Sequence, residues 1–287
     1  MRPPGNRGAE APPVVAPPAA PGRRALLASA AAVLGGSAPA PRGAAAQPPP
    51  PPQDCRGGTV HLTIDTGWGR EAERIAEILR RRGVRATLFV ADEPSFHGDR
   101  TLDDAWAPFW RARAAEGHTF ASHTWRHWYF RGDPAPGRVR YASRRPGERA
   151  EVLDAPALCA ELRRPIDRLR EMAPGAVVLP LWRAPGGIVT PNAVRMAEES
   201  CGLRHQGWTA NGFWGDELDS AAHPNAALAR RAIERTRPGE VVVIHWGVRS
   251  RREPFAGVLE EVIAGLQARG LCFAPLPPGG LPARGGA

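Results

Sequence analysis

The sequence predicts a single α/β domain built on parallel strands, and three observations carry that prediction. From Cys55 onward, short apolar runs alternate with amphipathic segments of helical period. The alternation recurs over about 220 residues, giving seven β/α steps. A hydrophobic fraction of 43% is enough for one sizeable core. These features leave two architectures open, a closed barrel and a doubly wound open sheet.

Each element has its own signal. Residues 59–64 read as a strand. Residues 70–82 read as a helix, with Ala72, Ile75, Ala76 and Leu79 on one face and Gly83 as its stop. A second strand at 86–90 is followed by a helix at 102–116 and a third strand at 119–122. The chain then enters a long, polar, Arg-rich insertion that ends near Ala155. From there to Met172 a helix places Leu158, Leu162, Ile166 and Leu169 in register, and Pro165 is expected to kink it. After a strand at 177–182, Thr190 and Pro191 form the cap and first turn of a helix that Gly202 stops. Strands at 205–208, 241–245 and 271–274 alternate with helices beginning near Asn225 and Pro254.

Composition narrows the class of protein. The net charge of +9 comes from a chain whose 38 basic residues are all Arg, alongside 32 Gly and 32 Pro, the usage of a GC-rich genome. The first 53 residues hold five of those Arg and a single Glu, so the remainder is ordinarily charged. No nucleic-acid-binding motif is present, and a nucleic-acid partner is not expected. Disordered, collagen-like and small disulfide-scaffold classes are excluded.

The beginning of the chain reads as an export signal. Arg23-Arg24 precedes an apolar run at 25–34 broken only by Ser29, with Leu26 where a twin-arginine signal usually has Phe. The run is shorter than the roughly 20 residues that span a bilayer as a helix. An A-x-A site at Ala44-Ala45-Ala46 places cleavage before Gln47. The organisation is thus a twin-arginine-type signal at 1–46, a Pro-rich linker at 47–54, a folded domain at 55–277 and a flexible tail at 278–287. Periplasmic or secreted localisation follows, with no integral membrane span after signal removal. The alternative is a disordered Pro/Ala tail. Cys55, Cys159, Cys201 and Cys272 are too widely spaced for a C-x-x-C motif. Cys55 and Cys272 flank strands that would be neighbours in a closed barrel and form the favoured pair. Free buried thiols are the alternative.

In parallel α/β folds the site lies at the carboxyl ends of the strands. There the sequence places Asp65, then His123 and His127, then Arg183, then His245. His123 and His127 stand four apart, a spacing that puts two imidazoles on one side of a helical turn, and neutral imidazole suits zinc, nickel or cobalt. Taken singly, each of these residues has a structural explanation. Together they favour a metal hydrolase.

In order along residues 55–277, the sequence resembles the polysaccharide deacetylases with a NodB homology domain, the carbohydrate esterase family 4 type. The family's T-F-D-D-G motif corresponds to Thr63-Ile64-Asp65-Thr66-Gly67. Its H-[ST]-x-x-H motif appears as His123-Thr124-Trp125-Arg126-His127, after Gly117-His118. Its R-x-P-x-G motif is Arg183-Ala184-Pro185-Gly186-Gly187. The fourth motif is degraded to Trp208, Asn211 and Trp214, and the fifth is Val243-Ile244-His245 after Pro238-Gly239.

The resemblance implies a distorted (β/α)7 barrel and hydrolysis of a carbon–nitrogen bond, the N-acetyl group of an amino-sugar polysaccharide. It implies a divalent metal, zinc with cobalt or nickel as alternatives, on His123 and His127. Asp65 would be the general base, Arg183 would orient it, and His245 would be the general acid. Thr66, Trp125, Pro185, Gly186, Trp208 and Asn211 would line the substrate site, with the Gly186 N–H aimed at the oxyanion. The family's metal-binding Asp is replaced by Thr66. Three outcomes follow: water takes the position, Asp65 becomes the third ligand, or another carboxylate reaches in. Asp92 is the expected substitute, with Glu93 as the alternative. Asn211 lacks the charge that normally supports the Arg and His, a role open to Asp216 or Glu217. Seven of the nine Trp (Trp68, Trp125, Trp128, Trp182, Trp208, Trp214, Trp246) lie within or beside the motifs, where aromatic rings would stack on sugars. Core packing is expected for Trp182, and for Trp106 and Trp110. A hydrolase of the same fold acting on another amide, and a glycan-binding protein that has lost the metal, are the competing readings.

Overall fold

A computed structural model describes residues 55–144, 147 and 149–282. The expected signal and linker at 1–54, and the end of the tail, lie outside the described residues. No described helix is long and apolar enough to cross a membrane.

The strands are β1 (Gly58–Asp65), β2 (Thr87–Val90), β3 (Thr119–Ser122), β4 (Tyr129–Ala135), β5 (Arg138–Ala142), β6 (Ala150–Leu153), β7 (Val177–Trp182), β8 (Arg204–His205), β9 (Val241–His245) and β10 (Leu271–Phe273). The helices are α1 (Ala72–Arg81), α2 (Ala107–Ala115), α3 (Ala155–Met172), α4 (Pro191–Cys201), α5 (Asn225–Arg235) and α6 (Leu259–Ala268). Seven strands form one parallel sheet in the order β10-β1-β2-β3-β7-β8, with β9 paired to β1. The sheet curls into a distorted (β/α)7 barrel. The segment after β8 closes it, where Thr209 N–H donates to Val241 O (3.1 Å) and Phe213 pairs with Val243.

The period-2 alternation of β1 explains how a carboxylate comes to be inside. Val60, Leu62 and Ile64 pack outward into the large core shared with the helices. Thr63 and Asp65 therefore face the barrel interior, where Phe89, Ala121, Leu179, Leu181, Val241 and Leu276 form a second, smaller cluster. α1 buries its expected face. α4 has the expected ends: Thr190 accepts the Ala193 N–H, and Gly202 closes the helix at φ 65°.

Residues 129–153 depart from the expected irregular insertion. Within this segment β4, β5 and β6 form a three-stranded antiparallel sheet. Phe130, Val139, Tyr141 and Leu153 point inward while the Arg residues between them face solvent. α3 runs unbroken through Pro165, where a kink was expected, and Asp154 caps it by accepting the Ala157 N–H (3.1 Å).

Both cysteine pairs are disulfides. The favoured Cys55–Cys272 bridge is present, and a second bridge, Cys159–Cys201, ties α3 to the end of α4. The second bridge spans a sequence separation of 42. Its removal releases the unfolded chain from a loop constraint of about 4 kcal/mol. A Cys159→Ser/Cys201→Ser double variant should therefore lose about 2–4 kcal/mol of stability in a denaturant titration.

Candidate active site

Arg183, immediately after β7, is fully buried, and its guanidinium points across the barrel. Its Nη1 donates to Asp65 Oδ1 (2.7 Å) and to Thr63 Oγ1 (2.7 Å), and its Nε donates to Gln206 O (3.0 Å). The Phe89 ring lies beneath it at 4.0 Å. Burial alone would raise the Asp65 carboxyl. The Arg183 charge, helped by His123 and His245, overrides that and holds it below the ordinary carboxylate range. Asp65 is thus an ionised base with Oδ1 engaged.

His245 ends β9, which pairs with β1 so that Asp65 and His245 stand side by side in register. The Asp216 carboxylate accepts both the His245 backbone N–H (2.7 Å) and its Nδ1–H (3.1 Å). Glu217 Oε1 lies 3.7 Å from Nε2. Burial would lower the imidazole, but Asp216, with Glu217 and Asp65, pushes it up to about 10. His245 is therefore an acid at neutral pH. Asp216, and more distantly Glu217, supply the charge that Asn211 lacks.

His123 and His127 do not lie on a helix. β3 ends at Ser122, and the intervening loop takes positive φ at Thr124 (66°) and His127 (52°), the only non-glycine residues to do so among the described residues. The loop still brings the two rings together. His123 Nδ1 lies 3.0 Å from the Arg183 carbonyl, and His127 Nδ1 lies 3.2 Å from Glu93 Oε1. A carbonyl and a carboxylate only accept, so each Nδ1 carries a hydrogen, and Nε2 is the lone-pair nitrogen of the neutral ring. Burial drives His123 down to about 3, which keeps it neutral. The two Nε2 atoms stand 3.2 Å apart. Nitrogens about 2.0–2.1 Å from one zinc would be ~3.3 Å apart in a tetrahedral site. The facing lone pairs, each fixed by an acceptor behind it, fit a divalent cation.

The third donor is where expectation and structure part. Thr66 is buried, its hydroxyl donating to Phe89 O (2.9 Å) and accepting the Ala91 N–H (2.8 Å), so it bridges β1 and β2. Asp92 does not join the His pair. It is bound by Arg100 and lines a cavity of about 1030 Å³ along α3. Successive residues in extended chain point to opposite sides, so Glu93 reaches His127 while Asp92 turns away. Among the described residues no three His, Cys, Asp or Glu side chains are grouped to hold a metal. Asp65 Oδ2, 3.6 Å from His123 Nε2, is the carboxylate oxygen placed against the pair.

The expected substrate residues divide. Pro185 and Gly186 form a tight turn at the mouth. A Cβ at Gly186 would stand 2.8 Å from the Tyr129 ring, and φ there is 64°, so only glycine fits. Trp208 is half-buried beside Gly187, with Arg183 5.7 Å from its ring. Trp125 is turned toward α3, under the Arg164 guanidinium at 3.9 Å. Asn211 bonds Glu240, which precedes β9, and so sits at the opposite end of that strand from His245. Trp182, Trp214 and Trp246 are core residues, as are Trp106 and Trp110. Trp128 stacks under the Arg126 guanidinium at 4.3 Å and beside Tyr141, so the aromatic surface is reduced to Trp68 and Trp208 with their neighbours.

Three residues went unrecognised as contributors. Tyr129 packs over the Gly186 turn. Glu161 and Tyr141 hold the loop between the histidines. Glu161 was legible in one respect, as a carboxylate on the otherwise apolar stripe of α3.

An ionised carboxylate thus stands beside a protonated imidazole at the carboxyl mouth of an α/β barrel, next to a second pair of imidazoles, a set able to accept and donate protons. The sequence profile of the polysaccharide deacetylase family matches residues 53–205, over half of the chain, and the chain belongs to that family. Solved structures share the fold. A family 4 carbohydrate esterase from Streptomyces lividans in complex with acetate is 20% identical, with 78% of this chain and 95% of that one covered and a TM-score of 0.55. A family 4 acetyl xylan esterase from Clostridium thermocellum in complex with cobalt is 16% identical, with 76% and 87% covered and a TM-score of 0.57. A family 4 pseudoenzyme from Bacillus anthracis is 17% identical, with 77% and 64% covered and a TM-score of 0.52. No curated protein matches the chain.

Restoring a carboxylate with Thr66→Asp is expected to tighten zinc binding by about tenfold or more in a chelator-competition titration. Asp92→Ala should leave zinc affinity unchanged, since Asp92 belongs to the Arg100 ion pair.

Proposed function

We propose that this chain is an exported, divalent-metal-dependent hydrolase that removes N-acetyl groups from an amino-sugar polysaccharide. The observation that carries the reading is the adjacency of Asp65, kept ionised by Arg183, and His245, kept protonated by Asp216. A binding protein has no use for an acid and a base of opposite protonation side by side. Family membership supplies the substrate class, and Arg23-Arg24 with the run at 25–34 supports export.

His123 and His127 would hold the cation, which would supply Lewis-acid polarisation of the acetyl carbonyl and of water. Zinc is the proposed ion, with cobalt and nickel compatible with the same nitrogens. Asp65 takes a proton from the attacking water through Oδ2, since Oδ1 is engaged by Arg183. The water oxygen bonds to the carbonyl carbon, and the Gly186 N–H is the proposed donor to the developing oxyanion. His245 Nε2–H then passes its proton to the amine as the carbon–nitrogen bond breaks. Acetate and a free amino sugar leave. Trp68 and Trp208 offer apolar faces for the sugar rings.

One observation favours a second reading, a glycan-binding pseudoenzyme: the position of the family's metal-binding Asp is held by Thr66, whose hydroxyl is committed to the backbone. Acetate release from acetylated chito-oligosaccharides with added zinc, cobalt or nickel separates the two. Release that is lost in both His123→Ala and His245→Ala is expected. No release with any of the three metals would overturn the proposed activity on N-acetylated amino sugars.

The pH profile offers a further check. His245 acts in its protonated form, so kcat/KM falls as pH rises through its pKa, near 10. Asp216→Asn removes the main charge that raises it, and the alkaline limb should move down by more than about one pH unit toward the unperturbed imidazole range.

A further inference from the structure

We infer that Glu161 and Pro165 of α3 are the positioning residues of the His123–His127 pair. Proline has no N–H, so the carbonyl four residues earlier loses its donor within the helix. That carbonyl belongs to Glu161, and it takes the Trp125 N–H instead (3.0 Å). The Glu161 side chain holds the next residue. Oε1 accepts the Arg126 N–H (2.6 Å), Oε2 accepts Arg126 Nε–H (2.9 Å), and Oε1 also accepts the Tyr141 hydroxyl (2.9 Å). Tyr141 in turn accepts the Trp128 N–H (3.0 Å) and lies 2.9 Å from Thr124 Oγ1.

One buried carboxylate and one freed carbonyl therefore fix the backbone of Trp125 and Arg126, midway between the two histidines. Both residues with strained positive φ, Thr124 and His127, flank that point. A loop of Thr, Trp, Arg and His has no intrinsic preference for this path, so the conformation must be imposed from outside. α3 is the element that imposes it. The helix gives up one internal hydrogen bond at Pro165, and the loop gains its anchor. The metal-binding part of this inference rests on the function proposed above. The loop-anchoring part does not.

The test uses the full chain and three variants: Glu161→Ala, Glu161→Gln and Pro165→Ala. Amide hydrogen exchange across residues 123–128 is measured without metal, zinc affinity by competition with a chromophoric chelator, and stability by thermal melting. In Glu161→Ala the Trp125 and Arg126 amides should exchange at least about tenfold faster. The zinc Kd should rise by about tenfold or more. Glu161→Gln keeps an acceptor for the Arg126 N–H and should recover most of the affinity.

Pro165→Ala is the discriminating variant. It returns an N–H to the helix, which competes with Trp125 for the Glu161 carbonyl. Melting temperature should hold or rise while exchange at Trp125 quickens and zinc affinity falls. A role confined to helix stability would instead make affinity follow the melting temperature. Exchange and zinc affinity within twofold of wild type in Pro165→Ala, and in any Glu161→Ala protein that folds, would overturn the inference. If wild type itself holds no zinc, the metal assignment fails, and the exchange measurement still decides whether α3 anchors the loop.

Discussion

The buried pairing of Arg183 with Asp65 is the constraint on which the rest of the site is built. Two opposite charges withdrawn from water are costly, and such a pair survives only when every remaining hydrogen-bonding position is filled. Here Thr63 Oγ1 and the Gln206 and Gly207 carbonyls accept from the other guanidinium N–H groups, and Phe89 closes one face. Removing either partner would strand the other as an uncompensated charge, a loss of about 3–5 kcal/mol in comparable cases. Arg183 also reaches the second half of the site, because its own carbonyl accepts from His123 Nδ1. A single residue thereby sets the ionisation of Asp65 with its side chain and the tautomer of the His123 imidazole with its backbone.

The site is assembled from three such arrangements, each pairing a working group with a partner that fixes its protonation. Asp65 has Arg183, His245 has Asp216, and the His123–His127 pair has a carbonyl and Glu93 behind it. The chemistry a residue performs is settled one layer further from the substrate than the residue itself. Thr66 stands out against this regularity. It has become part of the β1–β2 seam, and the negative charge near the imidazoles now comes from Asp65 and Glu93.

Much of this was legible in the sequence because strand ends in a parallel barrel are fixed by chain order. Asp65, Arg183 and His245 needed only the correct strand to be placed correctly, and period-2 alternation did the rest. What sequence reasoning missed depends on turns. The spacing of His123 and His127 suggested a helix, but the positive φ values at Thr124 and His127 are imposed by contacts with α3, some 35 residues away along the chain. Asp92 and Glu93 are adjacent and chemically equivalent, so only the direction of the chain after β2 separates an Arg100 partner from a His127 partner. The β4–β6 sheet was hidden because its alternation is carried by a few apolar residues among many Arg. Asn211 was displaced because the chain between β8 and β9 returns toward the start of β9 before it reaches Asp216.

The register of β1 with β9 has a consequence for how the family's chemistry can vary. Hydrogen-bonded parallel strands keep a spacing of about 4.8 Å that side-chain substitution cannot alter. Asp65 and His245 occupy paired positions on those two strands, so the backbone acts as a fixed ruler between proton acceptor and proton donor. Mutation can change the charge state at either end of that ruler, but not its length. A substitution elsewhere in the site, such as Thr66 beside Asp65, therefore leaves the separation of these two groups untouched.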